Sequence, residues 1–297
     1  MYKTKIKILI TGGRGFIAQS ILESFRHKYD VVCLGRDKLD LLDSQKVYNY
    51  IKNGQFDIII HPATYDAAPS FTTKVPSKVL ENNVKMFFNI ARCSEFFGKM
   101  LYFGSGAEFS RPHWAPMMSE EYFDTHIPQD QYGLSKYIMT QHAEKSSNIY
   151  NLRLFAVVGE GDDWRYRFIS LASSKAVYDM PITFRQNVFF DFLYIKDLTN
   201  IVEWFMINEP IHKVYNVCSG NIYDYQTIAE KICQISGKNL EIRAEKSGLN
   251  TEYSGDNTLL MKEIQNYEFT PLEEYLERVY RWTITNKHAI DPAHFQY

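Results

Sequence analysis

The sequence lacks a long apolar run, since no segment approaches the roughly 20 apolar residues that a membrane-spanning helix needs. An excess of one charge is also absent: Lys and Arg number 33 and Asp and Glu 35 among 297 residues. Without a basic block, neither nucleic acid nor a membrane is expected as a partner. The N-terminal residues lead into a short apolar run that glycines interrupt, and this is not the pattern of a signal peptide.

Cysteine is scarce. The chain has four, which lie far apart and form neither a Cys-x-x-Cys motif nor a Cys/His spacing typical of zinc sites: Cys33, Cys93, Cys218 and Cys233. We therefore expect reduced thiols, no metal site and a cytoplasmic protein.

What is present begins with a glycine-rich turn after an apolar strand. Residues 6–10 are apolar almost throughout, as expected of a buried parallel strand. They are followed by Thr11-Gly12-Gly13-Arg14-Gly15-Phe16-Ile17-Ala18 and a helical pattern through Phe25. Gly12 and Gly15 permit a tight turn in which backbone N–H groups approach a pyrophosphate at the helix N-terminus. This order of strand, turn and helix predicts a dinucleotide-binding site.

A second strand lies within residues 30–36, where a dinucleotide-binding fold usually offers a carboxylate to the ribose 2′-hydroxyl. This sequence has Gly35 and Arg36 there, and Arg14 stands in the first loop. Two arginines suit a 2′-phosphate, so NADP(H) is the preferred cofactor. In the alternative, Asp37 takes the carboxylate role, the arginines are solvated and NAD(H) is bound.

A serine follows the fourth predicted strand. The third strand spans residues 57–63, a helix from about Val75 to Phe97 comes next, and residues 99–103 form the fourth strand. Ser105 then stands in a glycine-flanked turn, at the end of the sheet where such folds bind ligands. It can donate a hydrogen bond to a substrate carbonyl; alternatively, it is a plain turn serine.

Tyr132 and Lys136 are four residues apart and fall on one face of a predicted helix, with Asp130 as its N-cap. An ammonium close to a phenol favours phenolate, so we expect Lys136 to lower the pKa of Tyr132 towards neutrality. Such a pair can donate or accept the proton of a carbonyl reduction. Tyr-x-x-x-Lys also occurs on ordinary amphipathic helices, but after the glycine-rich turn and Ser105 it predicts a reductase site.

Strands alternate with helices as far as residue 160, ending with an expected strand over residues 150–158. This pattern predicts an α/β fold with a Rossmann-type doubly wound parallel sheet, and residues 1–160 as the dinucleotide-binding domain. The later pieces are shorter and more polar, so residues 161–297 are expected to form a smaller C-terminal substrate-binding cap. Val214 to Cys218 is a last apolar strand, and we expect some segments of the cap to return to the sheet.

Together these stretches resemble the extended short-chain dehydrogenase/reductase family, specifically its nucleotide-sugar branch. The resemblance covers nearly the whole chain, from the glycine-rich turn through Ser105, Tyr132 and Lys136 to the run over residues 191–197 and the tail over residues 269–274. Within the branch, residues 35–43 look most like those of GDP-fucose synthase and dTDP-4-dehydrorhamnose reductase. Both are 4-ketosugar reductases that use NADPH.

The resemblance implies a role for each catalytic residue. Tyr132 protonates the C4 oxygen as the nicotinamide delivers hydride to C4, Lys136 holds the nicotinamide ribose, and Ser105 orients and polarises the carbonyl. The residues expected to bind the cofactor are Gly12, Arg14, Gly15, Phe16, Ile17, Arg36, Ala63, Asn83, Tyr132, Lys136, Phe155 and Val158.

A homodimer is also implied by the resemblance, formed through the helix of residues 75–97 and the helix that carries Tyr132. Four apolar residues are compatible with that interface, or equally with the core: Met86, Phe87, Phe96 and Phe97.

Departures from the family pattern narrow the chemistry. Sugar 4,6-dehydratases of this family carry an Asp-Glu pair directly after the catalytic hydroxyl residue, and here those positions are Gly106 and Ala107. Elimination of water therefore lacks its acid and base. The cysteine and histidine with which GDP-fucose synthase epimerises its substrate align with Ala107 and Arg167, so epimerisation by that route is not expected.

The arginine that often grips the substrate diphosphate in this family is Phe190 here. Arg165, Arg167 or Arg185 can supply the missing charge, because a guanidinium suits phosphate oxygens. Each of the three is equally plausible as a surface arginine.

The sequence thus predicts an NADPH-dependent reductase of a nucleotide-linked 4-keto-6-deoxy sugar, which makes a deoxysugar for surface polysaccharide. The alternative is a nucleotide-sugar 4-epimerase or 4-dehydrogenase that keeps NAD(H) tightly bound and uses the same three residues. A third interpretation is a redox-sensing or scaffold protein that binds dinucleotide without turnover. Such relatives usually lose the tyrosine or the lysine, and this chain retains both.

Overall fold

A computed structural model of the chain describes residues 5–67 and 72–295. The strands within these ranges are β1 (Lys7–Thr11), β2 (Asp30–Leu34), β3 (Phe56–His61), β4 (Phe97–Ser105), β5 (Ile149–Leu154), β6 (Ala156–Val158), β7 (Ile182–Asn187), β8 (Phe189–Tyr194), β9 (Val214–Val217), β10 (Ile222–Asp224) and β11 (Ile242–Leu249). The α-helices are α1 (Phe16–Phe25), α2 (Ser44–Gly54), α3 (Val79–Ala91), α4 (Gln131–Lys145), α5 (Phe168–Val177), α6 (Ile195–Ile207), α7 (Tyr225–Ser236), α8 (Thr258–Glu263) and α9 (Leu272–Thr285).

The main sheet has six strands in the order β2-β1-β3-β4-β5-β9, and all of its pairings are parallel. Its apolar strands are buried on both faces, and successive residues of one strand enter different cores. Ile8 and Ile10 of β1 join the core that also contains α1 and α6, whereas Leu9 joins the core that contains α2 and α3. This alternation is that of a sheet covered by helices on both sides. The predicted doubly wound parallel sheet is confirmed.

Several helices begin at the residues that local chemistry favours. Asp130 caps α4, its carboxylate accepting a hydrogen bond from the N–H of Gly133 at 2.8 Å. Asp224 caps α7 in the same way through the N–H of Thr227, and α7 ends at Gly237, whose φ of 67° is left-handed. The predicted N-cap of the Tyr132 helix is therefore confirmed.

The second half of the chain adds two small sheets. One has the order β10-β8-β6, and the other pairs β11 with β7. The strand β9 lies in the main sheet, where its register joins Leu154 to Val217. Helices α5, α7 and α9 pack against one another beside these sheets. None of the helices in residues 5–67 and 72–295 has the length and apolar character needed to cross a membrane.

Two predicted elements were wrong in extent. The helix expected over residues 75–97 is shorter, because Phe97 is already extended and pairs with Phe56 as the first residue of β4. The strand expected over residues 150–158 is broken at Phe155. Its second part, β6, leaves the main sheet and pairs with β8, while β9 takes the place beside β5.

Candidate active site

The glycine-rich turn has the geometry that a close backbone approach requires. Gly12 has a φ of 67°, and a Cβ there would lie 2.8 Å from Cα of Ala63. The N–H of Gly15 donates to the carbonyl of Gly12 at 2.8 Å, and Gly15 is the N-cap residue of α1. Since neither position has a side chain, the N-terminus of α1 stays open to a phosphate group. The turn therefore fits a dinucleotide.

A cleft of about 540 Å³ lies over this turn. One wall is the turn itself with the start of α1, and the other is the segment of residues 161–167. The expected cofactor residues that line it are Gly12, Arg14, Gly15, Phe16 and Ile17. Arg165 and Arg167, expected to bind substrate, lie on the opposite wall of the same cleft. They therefore face the predicted cofactor site as well.

Ser105, Tyr132 and Lys136 come together where β4 ends beside α4. The ammonium of Lys136 donates to the carbonyl of Phe103 at 2.8 Å, two residues before Ser105, and lies 5.6 Å from the ring centre of Tyr132. The side chain of Ser105 is hydrogen-bonded to the phenol of Tyr132. Lys136 is buried and Tyr132 is half-buried. The three side chains form one polar cluster.

The expected lowering of the tyrosine pKa is wrong. Burial raises the pKa of Tyr132 above its ordinary value, and the charge of Asp66 and the phenol of Tyr253 add to the rise. The hydrogen bond with Ser105 and the charge of Arg167 lower the pKa of Tyr132 but have a smaller effect than burial. The phenol therefore keeps its proton at neutral pH.

The ammonium of Lys136 is itself weakened by its surroundings. Burial lowers the pKa of Lys136 to about 8, although the charges of Glu108 and Asp66 favour the protonated form. Because a buried ammonium loses hydration, its bond to the carbonyl of Phe103 compensates part of that loss.

A buried ion pair between Glu108 and Arg153 holds the backbone of Ser105 in place. Glu108 accepts a hydrogen bond from the N–H of Ser105 at 2.8 Å and pairs with Nε of Arg153 at 2.9 Å. Asn151 also donates to Glu108 and accepts from the N–H of Gly104 at 2.9 Å. Sequence reasoning missed this pair. A carboxylate three residues after a serine is a capping-box signal, and it could have indicated Glu108.

An aromatic wall covers the serine from the other side. Tyr253 lies with its hydroxyl 3.3 Å from Oγ of Ser105, and its ring packs 4.1 Å from that of Trp114 and 5.2 Å from that of Phe155. Sequence reasoning missed Tyr253 and Trp114, because nothing local to either residue connects it to Ser105. Phe155 contacts this wall, and the contact expected between Phe155 and the cofactor stays a prediction.

Asn83 has a defined structural role. It is buried, and its amide accepts from the N–H of Tyr65 at 2.7 Å and donates to the carbonyl of Tyr65 at 3.1 Å. These two bonds hold the loop after β3 against α3. The contact expected between Asn83 and the cofactor stays a prediction.

The remaining predicted arginines lie outside the catalytic cluster. Arg14 pairs with Asp37 at 3.0 Å, and Arg36 pairs with Asp40 at 3.2 Å, all four side chains being more than a third exposed. Arg185 is exposed on β7 and is absent from the lining of the cleft. Phe190, at the position of the family arginine, packs among aromatic rings, including Tyr225 at 5.4 Å.

Two of the apolar residues considered for a dimer interface belong to the core, since Phe87 and Phe97 are buried. Met86 and Phe96 are half-buried. Within residues 5–67 and 72–295, no cluster of His, Cys, Asp or Glu has the arrangement of a metal site.

Comparison with known proteins identifies the family. Residues 8–218 match the NAD dependent epimerase/dehydratase family. A relative, the GDP-6-deoxy-D-talose 4-dehydrogenase of Aggregatibacter actinomycetemcomitans, is 23% identical over 296 residues, which cover 93% of this chain and 97% of the relative.

Two solved structures share the fold. The GDP-L-fucose synthetase of Naegleria fowleri bound to NADP has a TM-score of 0.82 at 16% identity, over 97% of this chain and 95% of that chain. WbmG of Bordetella bronchiseptica in complex with NAD and UDP has a TM-score of 0.81 at 16% identity, over 96% of this chain and 95% of that chain. The predicted membership of the extended short-chain dehydrogenase/reductases, in their nucleotide-sugar branch, is confirmed, and the chain belongs to the NAD dependent epimerase/dehydratase family.

Proposed function

We propose that the protein is an NADPH-dependent reductase that acts at C4 of a nucleotide-linked 4-keto-6-deoxy sugar. The observation that carries the proposal is the cluster of Ser105, Tyr132 and Lys136 at the carboxyl end of β4, with Gly106 and Ala107 following the serine. The cluster can move one proton and bind one carbonyl. Without carboxylates at the next two positions, it lacks the groups that a dehydratase of this family uses.

The chemistry assigned to each residue follows from its surroundings. When bound, the nicotinamide cofactor supplies the hydride for C4. Ser105 donates a hydrogen bond to the ketone oxygen, and Tyr132 gives its proton to that oxygen as negative charge develops there. A phenol whose pKa is raised by burial is protonated at neutral pH, which suits a proton donor. Lys136 contributes a nearby positive charge, which favours negative charge on the ketone oxygen and on the phenol oxygen of Tyr132.

The cofactor preference rests on Arg14 and Arg36. Each is paired with a carboxylate, Asp37 and Asp40 respectively, in an exposed ion pair. Such pairs contribute only about 0–1 kcal/mol, so a 2′-phosphate can replace the carboxylate at little cost. This favours NADP(H), and NAD(H) remains the alternative in which Asp37 accepts from the ribose hydroxyl.

For the substrate we propose a GDP-linked sugar. The names of the A. actinomycetemcomitans 4-dehydrogenase and of the N. fowleri synthetase both specify a sugar linked to GDP. The product would be a deoxysugar donor for surface polysaccharide. Arg165 and Arg167, on the wall of the cleft that faces the glycine-rich turn, are the proposed phosphate contacts, with Arg185 less suited because it lies on β7 away from the cleft. We also propose a homodimer, as in the family pattern.

A second candidate is a nucleotide-sugar 4-dehydrogenase or 4-epimerase that binds NAD(H) tightly. It is favoured by the relative from A. actinomycetemcomitans, whose name is that of a 4-dehydrogenase. In that direction Tyr132 has to start as the base. The raised pKa of Tyr132 opposes this, since little phenolate exists at neutral pH.

The experiment that separates the two begins with the purified protein. Any dinucleotide that copurifies is identified, and the affinities for NADPH and NADH are measured by fluorescence titration. GDP-4-keto-6-deoxy-D-mannose is then offered with NADPH carrying deuterium on the transferred position, and NMR of the product locates the label. Loose binding with a preference for NADPH and deuterium at C4 supports the reductase. NAD(H) that survives dialysis, with no reduction of the ketone, refutes it.

The matched variants for this assay are Tyr132→Phe and Tyr275→Phe. Loss of a general acid typically costs 10²- to 10⁴-fold in turnover, roughly, so Tyr132→Phe should reduce kcat by that factor while still binding NADPH. Tyr275 is a buried tyrosine on α9, and removal of its hydroxyl should leave kcat unchanged.

A further inference from the structure

The hydroxyl of Tyr253 is the feature of the catalytic cluster that the proposed chemistry has not used. It lies 3.3 Å from Oγ of Ser105, and the residue is buried. This distance is long for two hydroxyls, but catalytic hydrogen bonds are often long before substrate binds. Burial raises the pKa of Tyr253 to about 12, so its hydroxyl keeps a proton at neutral pH.

The position of Tyr253 is fixed by backbone bonds on both sides. Its N–H donates to the carbonyl of Phe189 at 3.0 Å, and its carbonyl accepts from the N–H of Asp191 at 3.2 Å. Its ring is packed against Trp114, whose indole N–H donates to the carbonyl of Gly106 at 3.2 Å. The hydroxyl is therefore presented to Ser105 by a segment that is tied to β8 and to the turn after β4.

Either hydroxyl can be the donor in this bond, and counting donors and acceptors at Ser105 favours one direction. A serine oxygen has two lone pairs and one proton. One lone pair accepts from the N–H of Ala107 at 3.2 Å. The buried hydroxyl of Tyr253 needs an acceptor for its proton, and among the described residues its hydrogen-bond partner is Ser105. If Tyr253 donates, both lone pairs of Ser105 are occupied and its proton is left for a third partner.

We propose that Tyr253 is a positioning residue, which donates to Ser105 and so directs the single proton of the serine hydroxyl away from Tyr253 and towards the substrate ketone. The serine then meets the ketone already oriented as a donor, with no rotation needed when substrate arrives. This is the preorganisation that makes a hydrogen bond effective in stabilising a developing oxyanion. In this scheme Tyr253 acts only through Ser105 and does not contact the reacting oxygen.

The inference rests on the proposed function for its kinetic test. With NADPH and GDP-4-keto-6-deoxy-D-mannose, Tyr253→Phe should lower kcat about 3- to 10-fold, as expected for the loss of one neutral hydrogen bond. KM and the affinity for NADPH should change by less than about twofold, because the ring and its packing are kept. Tyr275→Phe serves as the control, since its hydroxyl also lies buried and has no hydrogen-bond partner among the described residues.

A double-mutant cycle separates positioning from direct contact. In a Ser105→Ala background, adding Tyr253→Phe should cause no further loss of kcat. An equal loss in both backgrounds would overturn the proposal, because Tyr253 would then act on the substrate independently of the serine. A Tyr253→Phe enzyme as active as the wild type would overturn it too.

A structural readout tests the same point without turnover. High-resolution crystal structures of the wild type and of Tyr253→Phe should show Ser105 in one rotamer in the former and in several in the latter. An unchanged single rotamer would refute the positioning role. If the wild type reduces no 4-ketosugar, the proposed function fails, and the rotamer comparison decides the role of Tyr253 separately.

Discussion

The ion pair between Glu108 and Arg153 gives the sharpest test of how the catalytic turn is held. Nε of Arg153 lies 2.9 Å from the carboxylate, and both side chains are 0% exposed. Arg153→Met removes the cation and leaves a buried carboxylate, for which the expected loss of unfolding free energy is about 3–5 kcal/mol. For a chain of this size that corresponds to a fall in Tm of roughly 5–8 °C.

The double variant Glu108→Gln/Arg153→Met should lose much less than the sum of its single variants. It leaves no charge at either of the two positions, and the glutamine oxygen can still accept the N–H of Ser105. The pair is also incompletely satisfied, since Nη2 of Arg153 has no hydrogen-bond partner among the described residues. We therefore expect a coupling free energy of about 2–3 kcal/mol between the two positions.

Urea denaturation followed by circular dichroism measures these losses. The control is Arg278→Met, because Arg278 makes an exposed pair with Glu274 at 2.8 Å. Its loss should change the unfolding free energy by no more than about 1 kcal/mol. An Arg153→Met variant as stable as this control, or a double variant with additive losses, would refute the reasoning.

The remaining predictions concern the cofactor cleft and the lysine. Gly12→Ala should weaken NADPH binding and lower Tm, whereas Gly237→Ala, which has the same φ of 67° but no atom within 4 Å of the added Cβ and lies outside the cleft, should retain NADPH affinity; equal losses of affinity would contradict the close backbone approach. Arg14→Ala should weaken NADPH more than NADH and Asp37→Asn should strengthen NADPH, both read by fluorescence titration, and equal effects on the two cofactors would exclude a 2′-phosphate contact. The reduction rate should fall as the pH rises through about 8, where Lys136 loses its proton. A rate that does not change up to pH ~10 would rule out a role for the ammonium. Deprotonation of Lys136 should raise the stability of the fold. Between about pH 8 and pH 10.5 the lysine is protonated in the unfolded chain but not in the folded protein, so the unfolding free energy rises with pH in that range. Lys136→Met should remove this pH dependence of the unfolding free energy in urea titrations.

Local patterns in the sequence predicted the elements whose causes are local. The glycine-rich turn requires residues without side chains at Gly12 and Gly15, and a helix must begin just after it, so three short-range features agree. Asp130 likewise needs only the N–H three residues later to act as a cap. The apolar strands are recognisable because parallel strands are buried on both faces.

Contacts between segments that are distant in the chain could not be predicted from such local patterns. The break at Phe155 depends on β9 occupying the edge beside β5, which residues 150–158 themselves do not encode. Tyr253 reaches Ser105 across 148 positions of sequence. Its neighbours on the chain, Glu252 and Ser254, are polar and give no indication that it is buried.

The pKa of Tyr132 shows why a correct motif can still predict the wrong electrostatics. The spacing of Tyr132 and Lys136 placed an ammonium near the phenol, and it does lie 5.6 Å from the ring centre. The ammonium, however, is directed at the carbonyl of Phe103, and burial has lowered its own pKa to about 8. The same burial raises the pKa of the phenol, because desolvation penalises whichever form is charged. A shared environment therefore acts on both members of the pair, and it favours a tyrosine that donates a proton over one that removes it.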